Sequence, residues 1–298
     1  MSTVSIITLT YNRASMIGKT IECVLKQSHA DFQYIIVDDG SGDNTEDVVK
    51  QYNDLRIHYY KLPHSGSISH LRNFGISKST SGLVAFIDSD DLWSKEKLAV
   101  QIEVLGKNPS VGFVFTDVVL LFQNGEKKNV SYLPSAENEE AQNYFPLMIR
   151  DKLPVYPSTL LFKKECLAKV GQFNASLPAG DTNFITRLMY HYPGIHLCQS
   201  LVSIKKHETN HSEIHTIDAH HENLHTLHYF REKKLIGNFL YRRKSAFHHR
   251  ALANKYNTEG NTSKAMHHFK KGLALNPADV KNIASLFAMQ FNTARKHE

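Results

Sequence analysis

No run in this 298-residue chain approaches the ~18 consecutive apolar residues that a membrane-crossing helix requires. The first strand-like segment begins at Val4, which leaves no room for a secretory leader, so a cytoplasmic location is the expectation. Cysteine is scarce: Cys23, Cys166 and Cys198 are odd in number, far apart and set in apolar or helical contexts. That excludes a disulfide framework, argues against a zinc site and leaves three reduced packing residues. Also missing is a glycine-rich, basic loop after the first strand, where the chain reads Thr10-Tyr11-Asn12-Arg13. A nucleotidyltransferase, which attacks an α-phosphate held by such a loop, is therefore the weaker enzymatic alternative.

What is present is an ordinary globular composition, 41% apolar, with an uneven charge. Residues 1–215 carry 21 Lys and Arg against 23 Asp and Glu, whereas residues 216–298 carry 14 against 6. The basic tail suits anionic lipid headgroups or an acidic protein, although the commonest use of such a face is solvation. No nucleic-acid partner is expected.

The first half alternates short β-rich runs with helical patterns: Val4 to Leu9 then Met16 to Leu25, Tyr34 to Val37 then Thr45 to Tyr52, Ile57 to Tyr60 then Ser67 to Ser77, and Leu83 to Ile87 then Lys95 to Leu105. This rhythm predicts βαβ units and a mostly parallel sheet. Beyond Val111 the pattern is mixed, with a long β-prone run to Phe122, a turn at Asn124-Gly125, a polar loop from Ser131 to Gln142, and further strands at Ser158 to Phe162 and Ile195 to Ile204. From Ile217 onward the chain reads as helical. The expected division is a domain over 1–215, with a nucleotide-binding half (1–110) and an acceptor-side half (111–215), followed by a helical extension over 216–298.

Two apolar strands run directly into carboxylates: Tyr34-Ile35-Ile36-Val37 into Asp38-Asp39-Gly40-Ser41, and Leu83 to Ile87 into Asp88-Ser89-Asp90-Asp91. In an open α/β sheet the carboxyl ends of the strands border the binding crevice, so both clusters can face one ligand. A departing nucleotide diphosphate needs its charge neutralised, and a divalent cation held by carboxylate oxygens does this. Asp90 is the candidate ligand for it. An isolated Asp-x-Asp is usually a capped turn; the strand before it and the second acidic cluster favour the metal reading.

Taken in order, Val4 to Arg13, Val37-Asp38-Asp39-Gly40-Ser41, Arg72-Asn73-Phe74-Gly75 and Asp88-Ser89-Asp90-Asp91 resemble the motifs of family 2 glycosyltransferases with the GT-A fold, over roughly residues 4–212. The resemblance implies a Rossmann-like α/β nucleotide-diphospho-sugar transferase fold and an inverting transfer from a nucleotide-sugar donor, UDP first, to a glycan or lipid-linked glycan hydroxyl. Mn²⁺ or Mg²⁺ would assist. It further implies that Asp39 contacts the uracil or ribose within a wall of Thr8, Tyr11 and Arg13, that Asp88 and Ser89 lie on the nucleotide, and that Arg72 holds Asp88 or the diphosphate, with a purely structural salt bridge as the competing role for Arg72. Asp91 is expected to position the donor sugar or a neighbouring arginine. Asp181 is the expected base, although Gly180 and Thr182 replace the acid and the aromatic usual around it, and a plain helix N-cap competes for the residue. His207 stands where family members carry a histidine that closes on metal and diphosphate, and it competes with a surface role in a chain of 18 histidines. A non-catalytic nucleotide-sugar-binding or scaffolding protein is the remaining alternative.

The tail places Leu252, Ala253, Tyr256, Gly260, Ala265, Phe269, Gly272 and Pro277 at the spacings of one tetratricopeptide unit, which it resembles. Gly272 replaces the alanine preferred there. A single unit cannot cover its own apolar face, so it should pack on the catalytic domain, on the expected last helix, Val280 to Arg295, or on another subunit.

Overall fold

The computed structural model describes residues 3–133, 140–206 and 216–286. The chain divides into two compact units, Met1–Glu208 and Thr209–Glu298.

Unit 1 is built on a nine-stranded sheet. Its strands are β1 (Val4–Thr10), β2 (Phe32–Asp38), β3 (Ile57–Lys61), β4 (Leu83–Phe86), β5 (Leu92–Trp93), β6 (Phe113–Phe122), β7 (Lys127–Val130), β8 (Leu161–Lys163) and β9 (Gly194–Lys206). The order is β3-β2-β1-β4-β8-β6-β9-β5, with β7 paired to β6. The β3-β2-β1-β4 half is parallel, as the alternating pattern requires. In the other half only β6 and β9 run parallel, and β8 enters antiparallel between β4 and β6. The sheet is therefore more mixed than the first half of the sequence suggested, because β8 and the β6–β7 hairpin return the chain without a crossover helix.

β1 lies between β2 and β4 and is covered on both faces, which is why Val4, Ile6 and Ile7 follow each other without the alternation of a half-exposed strand. One face packs on helices α1 (Ala14–Leu25) and α4 (Lys97–Lys107), where Ile17, Ile21, Val24 and Leu98 join the core. The other packs on α3 (Ile68–Lys78) and α7 (Asp181–His191). The approach of α3 is close: a Cβ on Gly75 would stand 2.6 Å from Ile7 Cγ2. The remaining short helices are α2 (Thr45–Lys50), α5 (Phe145–Met148) and α6 (Leu167–Val170). Where a strand was expected from Ser158, residues 157–159 form a 3₁₀ turn and β8 starts at Leu161.

Unit 2 contains α8 (Thr216–Glu232), α9 (Asn238–Thr258), α10 (Thr262–Leu275) and helical residues 280–286. Leu252, Ala253, Tyr256, Ala265 and Phe269 form its core, against Ile217, Leu224, Met266 and Leu286. The α9–α10 turn uses Gly260 at φ +77°, and Asn261 caps α10 by accepting from Lys264 N at 3.1 Å. Gly272 has a local reason: a Cβ there would stand 2.5 Å from the Asn282 side-chain nitrogen, which donates to Phe269 O. The likeness to a tetratricopeptide unit remains one of spacing, and the expected helix to Arg295 lies outside the described residues beyond 286. Among the described residues no helix is long and apolar enough to cross a membrane.

Candidate functional site

β1, β2 and β4 end side by side, and the segments leaving them are stapled together. Asn12, at φ +51°, takes a hydrogen bond from Gly42 N (2.9 Å) on its side-chain oxygen, while its own N–H donates to Ser41 Oγ (2.8 Å). Arg13 N donates to Thr45 Oγ1 at 2.9 Å. Asp38 is spent inside this staple: its carboxylate accepts from Ser41 N at 2.7 Å and from the Tyr59 hydroxyl at 2.5 Å, and it is wholly buried. Gly40 permits the turn, since at φ +76° a Cβ would meet His64 N at 2.9 Å.

Asp39 is met by a loop that the sequence reading did not single out. Ser65 N (2.8 Å), Ser65 Oγ (2.9 Å) and Gly66 N (2.8 Å) donate to its carboxylate, and His64 Nδ1 lies 2.9 Å from the same group. His64 also stacks on Tyr11, centroids 4.3 Å apart. These two rings and Asp39 thus form one assembly at the β1–β2 edge. Thr8 is placed differently: it is fully buried, with its hydroxyl 3.0 Å from that of Tyr34, and has no surface toward a ligand.

The second acidic cluster sits at the end of β4. Asp91 is buried and accepts from Ser158 Oγ at 2.5 Å, while the same hydroxyl accepts from Asp88 N at 3.1 Å. Trp93 Nε1 donates to Ser158 O at 2.9 Å, so Ser158 ties the whole turn to the 3₁₀ segment. Ser89 and Asp90 are also buried, whereas Asp88 keeps 48% of its side-chain surface. Burial, then the neighbouring charges of Asp88 and Asp90, push the Asp91 carboxyl well above the usual range. Asp88 rises through crowding by protein and the Asp90 charge, with the Arg72 guanidinium opposing and its open surface moderating the effect.

Arg72, on α3, links this cluster to the far side of the crevice. Only 3% exposed, it stands 3.8 Å from Asp88 Oδ1 through Nη2 and forms an ion pair with Asp181 through Nη1. Nη1 also donates to Ala179 O at 3.3 Å, and the guanidinium lies over Phe173, 5.3 Å from the ring centroid. The adjacent Asn73 clamps the same loop, exchanging hydrogen bonds with Phe173 O (2.8 Å) and Phe173 N (2.9 Å). Asp181 occupies the first helical position of α7, and the N-cap is Gly180 at φ +69° without a side-chain cap bond. A Cβ on Gly180 would lie 2.5 Å from Ser69 Oγ. The missing acid at this position therefore has a physical cause: the left-handed backbone favours glycine, and a Cβ would in addition displace the Ser69 hydroxyl.

Asp88, Arg72 and Asp181 are thus joined directly, Asp90 and Asp91 belong to the same turn as Asp88, and Tyr11 and Asp39 form the neighbouring assembly. Arg13 lies in the staple between β1 and β2. His207 lies outside the described residues. Of the residues not foreseen, Ser158 stood out in the sequence as the expected start of a strand, and His64-Ser65-Gly66 gave no signal there.

The acidic turn suits a hard divalent cation by donor type. Among the described residues no three His, Cys, Asp or Glu side chains are preassembled around a metal position.

Comparison with solved structures defines the class by fold: GT-A-like, with a helical C-terminal region. Residues 1–349 of S. aureus TarS in complex with UDP-GlcNAc superpose with a TM-score of 0.69 at 18% identity, covering 92% of this chain and 81% of that one. The mannosyltransferase PcManGT from Pyrobaculum calidifontis, solved with GDP-Man and Mn²⁺, gives 0.59 at 18% identity over 98% and 80%. Residues 5–152 match the family model Glycosyl transferase family 2, so the chain carries a family 2 glycosyltransferase domain. TuaG of Bacillus subtilis (strain 168), named as a teichuronic acid biosynthesis glycosyltransferase, is 41% identical over 124 residues, 41% of this chain and 49% of that protein. WfgD of Escherichia coli, a UDP-Glc:alpha-D-GlcNAc-diphosphoundecaprenol beta-1,3-glucosyltransferase, is 33% identical over 121 residues, covering 41% and 47%. The chain spans about half the length of these two relatives.

Proposed function

We propose that this protein is an inverting, metal-dependent glycosyltransferase that moves a sugar from a nucleotide diphosphate to a hydroxyl of a glycan or lipid-linked glycan. The observation that carries the reading is the buried Arg72 guanidinium set between Asp88, at the end of β4, and Asp181, at the start of α7. It ties a donor-side acid and an acceptor-side acid to one rigid group. UDP is the favoured nucleotide, supported by the UDP-GlcNAc complex of TarS and the UDP-Glc donor in the name of WfgD. The lipid-linked acceptor is supported by the diphosphoundecaprenol carrier in that same name.

In this reading the Tyr11–His64 stack and Asp39 bind the base and ribose. Asp90 holds Mn²⁺ or Mg²⁺, which supplies charge neutralisation for the leaving diphosphate. Asp88 and Ser89 orient the nucleotide, Asp91 fixes the acidic turn through Ser158, and Arg72 holds Asp181 in place. Asp181 takes the proton from the acceptor hydroxyl as it attacks the anomeric carbon opposite the nucleotide. His207 is proposed as an additional donor to metal and diphosphate.

The test is hydrolysis of UDP-sugars without acceptor, read as UDP and free sugar with and without Mn²⁺. Asp90→Asn is expected to abolish the metal dependence. Asp181→Asn is expected to lower turnover ~10²-fold or more while UDP binding, followed by calorimetry, persists. Release of UMP, or metal-independent turnover, would overturn the proposal.

A further inference from the structure

The strongest feature outside the sheet-edge site lies where α8 passes into α9. Residues 231–244 carry six cationic side chains, Arg231, Lys233, Lys234, Arg242, Arg243 and Lys244, against the single carboxylate of Glu232. Lys233, Lys234, Arg242 and Arg243 are exposed. Phe239 stands among them with 78% of its surface open, a large apolar ring that the core of unit 2 does not use. On α9, Phe239, Arg243 and Phe247 follow each other at steps of four and so line one stripe of the helix. Phe247 is exposed as well, with Lys244 Nζ 5.7 Å and Arg250 Cζ 5.6 Å from its ring centroid. The buried side of the same helix is a separate stripe, containing Ala246, Leu252, Ala253 and Tyr256.

Solvation explains exposed lysines and arginines, but not two exposed phenylalanines set between them. Cations beside open aromatic rings match a bilayer interface, where anionic headgroups attract the charges and the rings enter the headgroup–acyl boundary. An acidic protein surface would satisfy the cations and leave Phe239 and Phe247 without an apolar partner. We propose that the α8–α9 turn and the Phe239–Arg243–Phe247 stripe dock this protein on an anionic lipid surface. The docking places α9 along the membrane plane without insertion across it, and it stands independently of the donor chemistry assigned to unit 1.

Flotation of the full-length protein with vesicles tests this. Vesicles of phosphatidylcholine with 30 mol% phosphatidylglycerol (about one anionic lipid in three, within the range where such surfaces attract basic segments) should carry the protein, and pure phosphatidylcholine should not. The triple variant Lys233→Glu, Lys234→Glu, Arg243→Glu should weaken the partition by well over tenfold, since each cation contributes roughly fivefold. Phe239→Ala with Phe247→Ala should weaken it severalfold with the charges intact. Far-UV circular dichroism of each variant checks that the helices persist. Equal partition to neutral and anionic vesicles, absence of partition, or unchanged partition of the folded triple variant would each overturn the proposal; the absence of partition would leave the acidic-protein alternative in its place. Asp90→Asn should float like the parent chain, so failure here and failure of the proposed catalysis are read separately.

Discussion

Two clusters, one in each unit, bury ionisable groups in opposite ways. In unit 1 the crevice places carboxylates around a cation: Arg72 is held between Asp88 and Asp181, and the acidic turn is tied by Ser158. In unit 2 imidazoles face imidazoles, with His249 Nδ1 2.9 Å from His268 Nδ1 and His220 Nδ1 3.1 Å from His248 Nδ1. A hydrogen bond between two such nitrogens needs one proton and rejects a second. The acidic cluster is thus organised to hold charge, and these imidazole pairs to exclude it.

The contrast breaks most severely at Arg72. Arg72→Ala leaves Asp88 and Asp181 without their shared guanidinium and uncouples the loop at Ala179, so UDP-sugar turnover should fall by ~10²-fold or more. Arg72→Lys should recover little, because one ammonium cannot span two carboxylates in the place of a planar fork. Single-turnover measurement on both variants checks this, and activity above a tenth of the parent's would remove Arg72 from the site.

Acid separates the units next. Burial, then repulsion from His268 and the nearby Lys271, lowers His249 to about 4, and burial with the neighbouring histidines lowers His268 to about 4. Both lie below the unfolded value of about 6.5, so the unfolded chain binds more protons between those limits. Their contribution is complete above pH ~6.5 and is lost as pH falls toward 4, by about 2 kcal/mol once their partial exposure is allowed for. Charged groups facing the pair include Lys264, Lys271 and His267 on α10 and His221 on α8. In unit 1 the carboxylates with lowered values, such as Asp117 beside His196 and Asp54 beside Arg56 at about 2, give way only in stronger acid. The single tryptophan, Trp93, lies in the core of unit 1 and reports that unit alone. On acid titration, loss of helical circular dichroism should therefore precede any change in Trp93 emission, and simultaneous transitions would contradict the ordering.

Much of unit 1 was legible in the sequence because its signals are local. An apolar run that ends in Asp-Asp-Gly-Ser or Asp-Ser-Asp-Asp states both a buried strand and what its tip presents, and β1 to β4 formed where those runs stand. Hidden were the contacts that span the chain. Ser158 meets Asp91 across 67 residues, and Asn73 meets Phe173 across 100, so no window of sequence contains either pair. Asp38 and Asp39 look equivalent in the sequence, but the pleat and the turn send Asp38 into the staple and Asp39 toward His64-Ser65-Gly66. The antiparallel entry of β8 escaped notice because a three-residue strand carries too little periodicity to show its direction.

Gly180 gives the smallest and sharpest test. Its replacement of a family acid reads, in the sequence, as a weakened catalyst; in the structure it follows first from a backbone φ of +69°, with the Ser69 hydroxyl 2.5 Å from the position a Cβ would take as a second, smaller obstacle. Restoring the acid should then harm the protein. Gly180→Asp and Gly180→Ala should each lose about 1–2 kcal/mol of stability from the left-handed backbone and the contact with Ser69, and neither should raise turnover. Adding Ser69→Ala to Gly180→Ala should recover part of that loss, because the contact is relieved while the backbone conformation remains unfavourable. Chemical denaturation of the three variants measures the difference. If Gly180→Asp proved as stable as the parent and faster in turnover, the left-handed backbone and the Ser69 contact would not be what fixes the residue at 180.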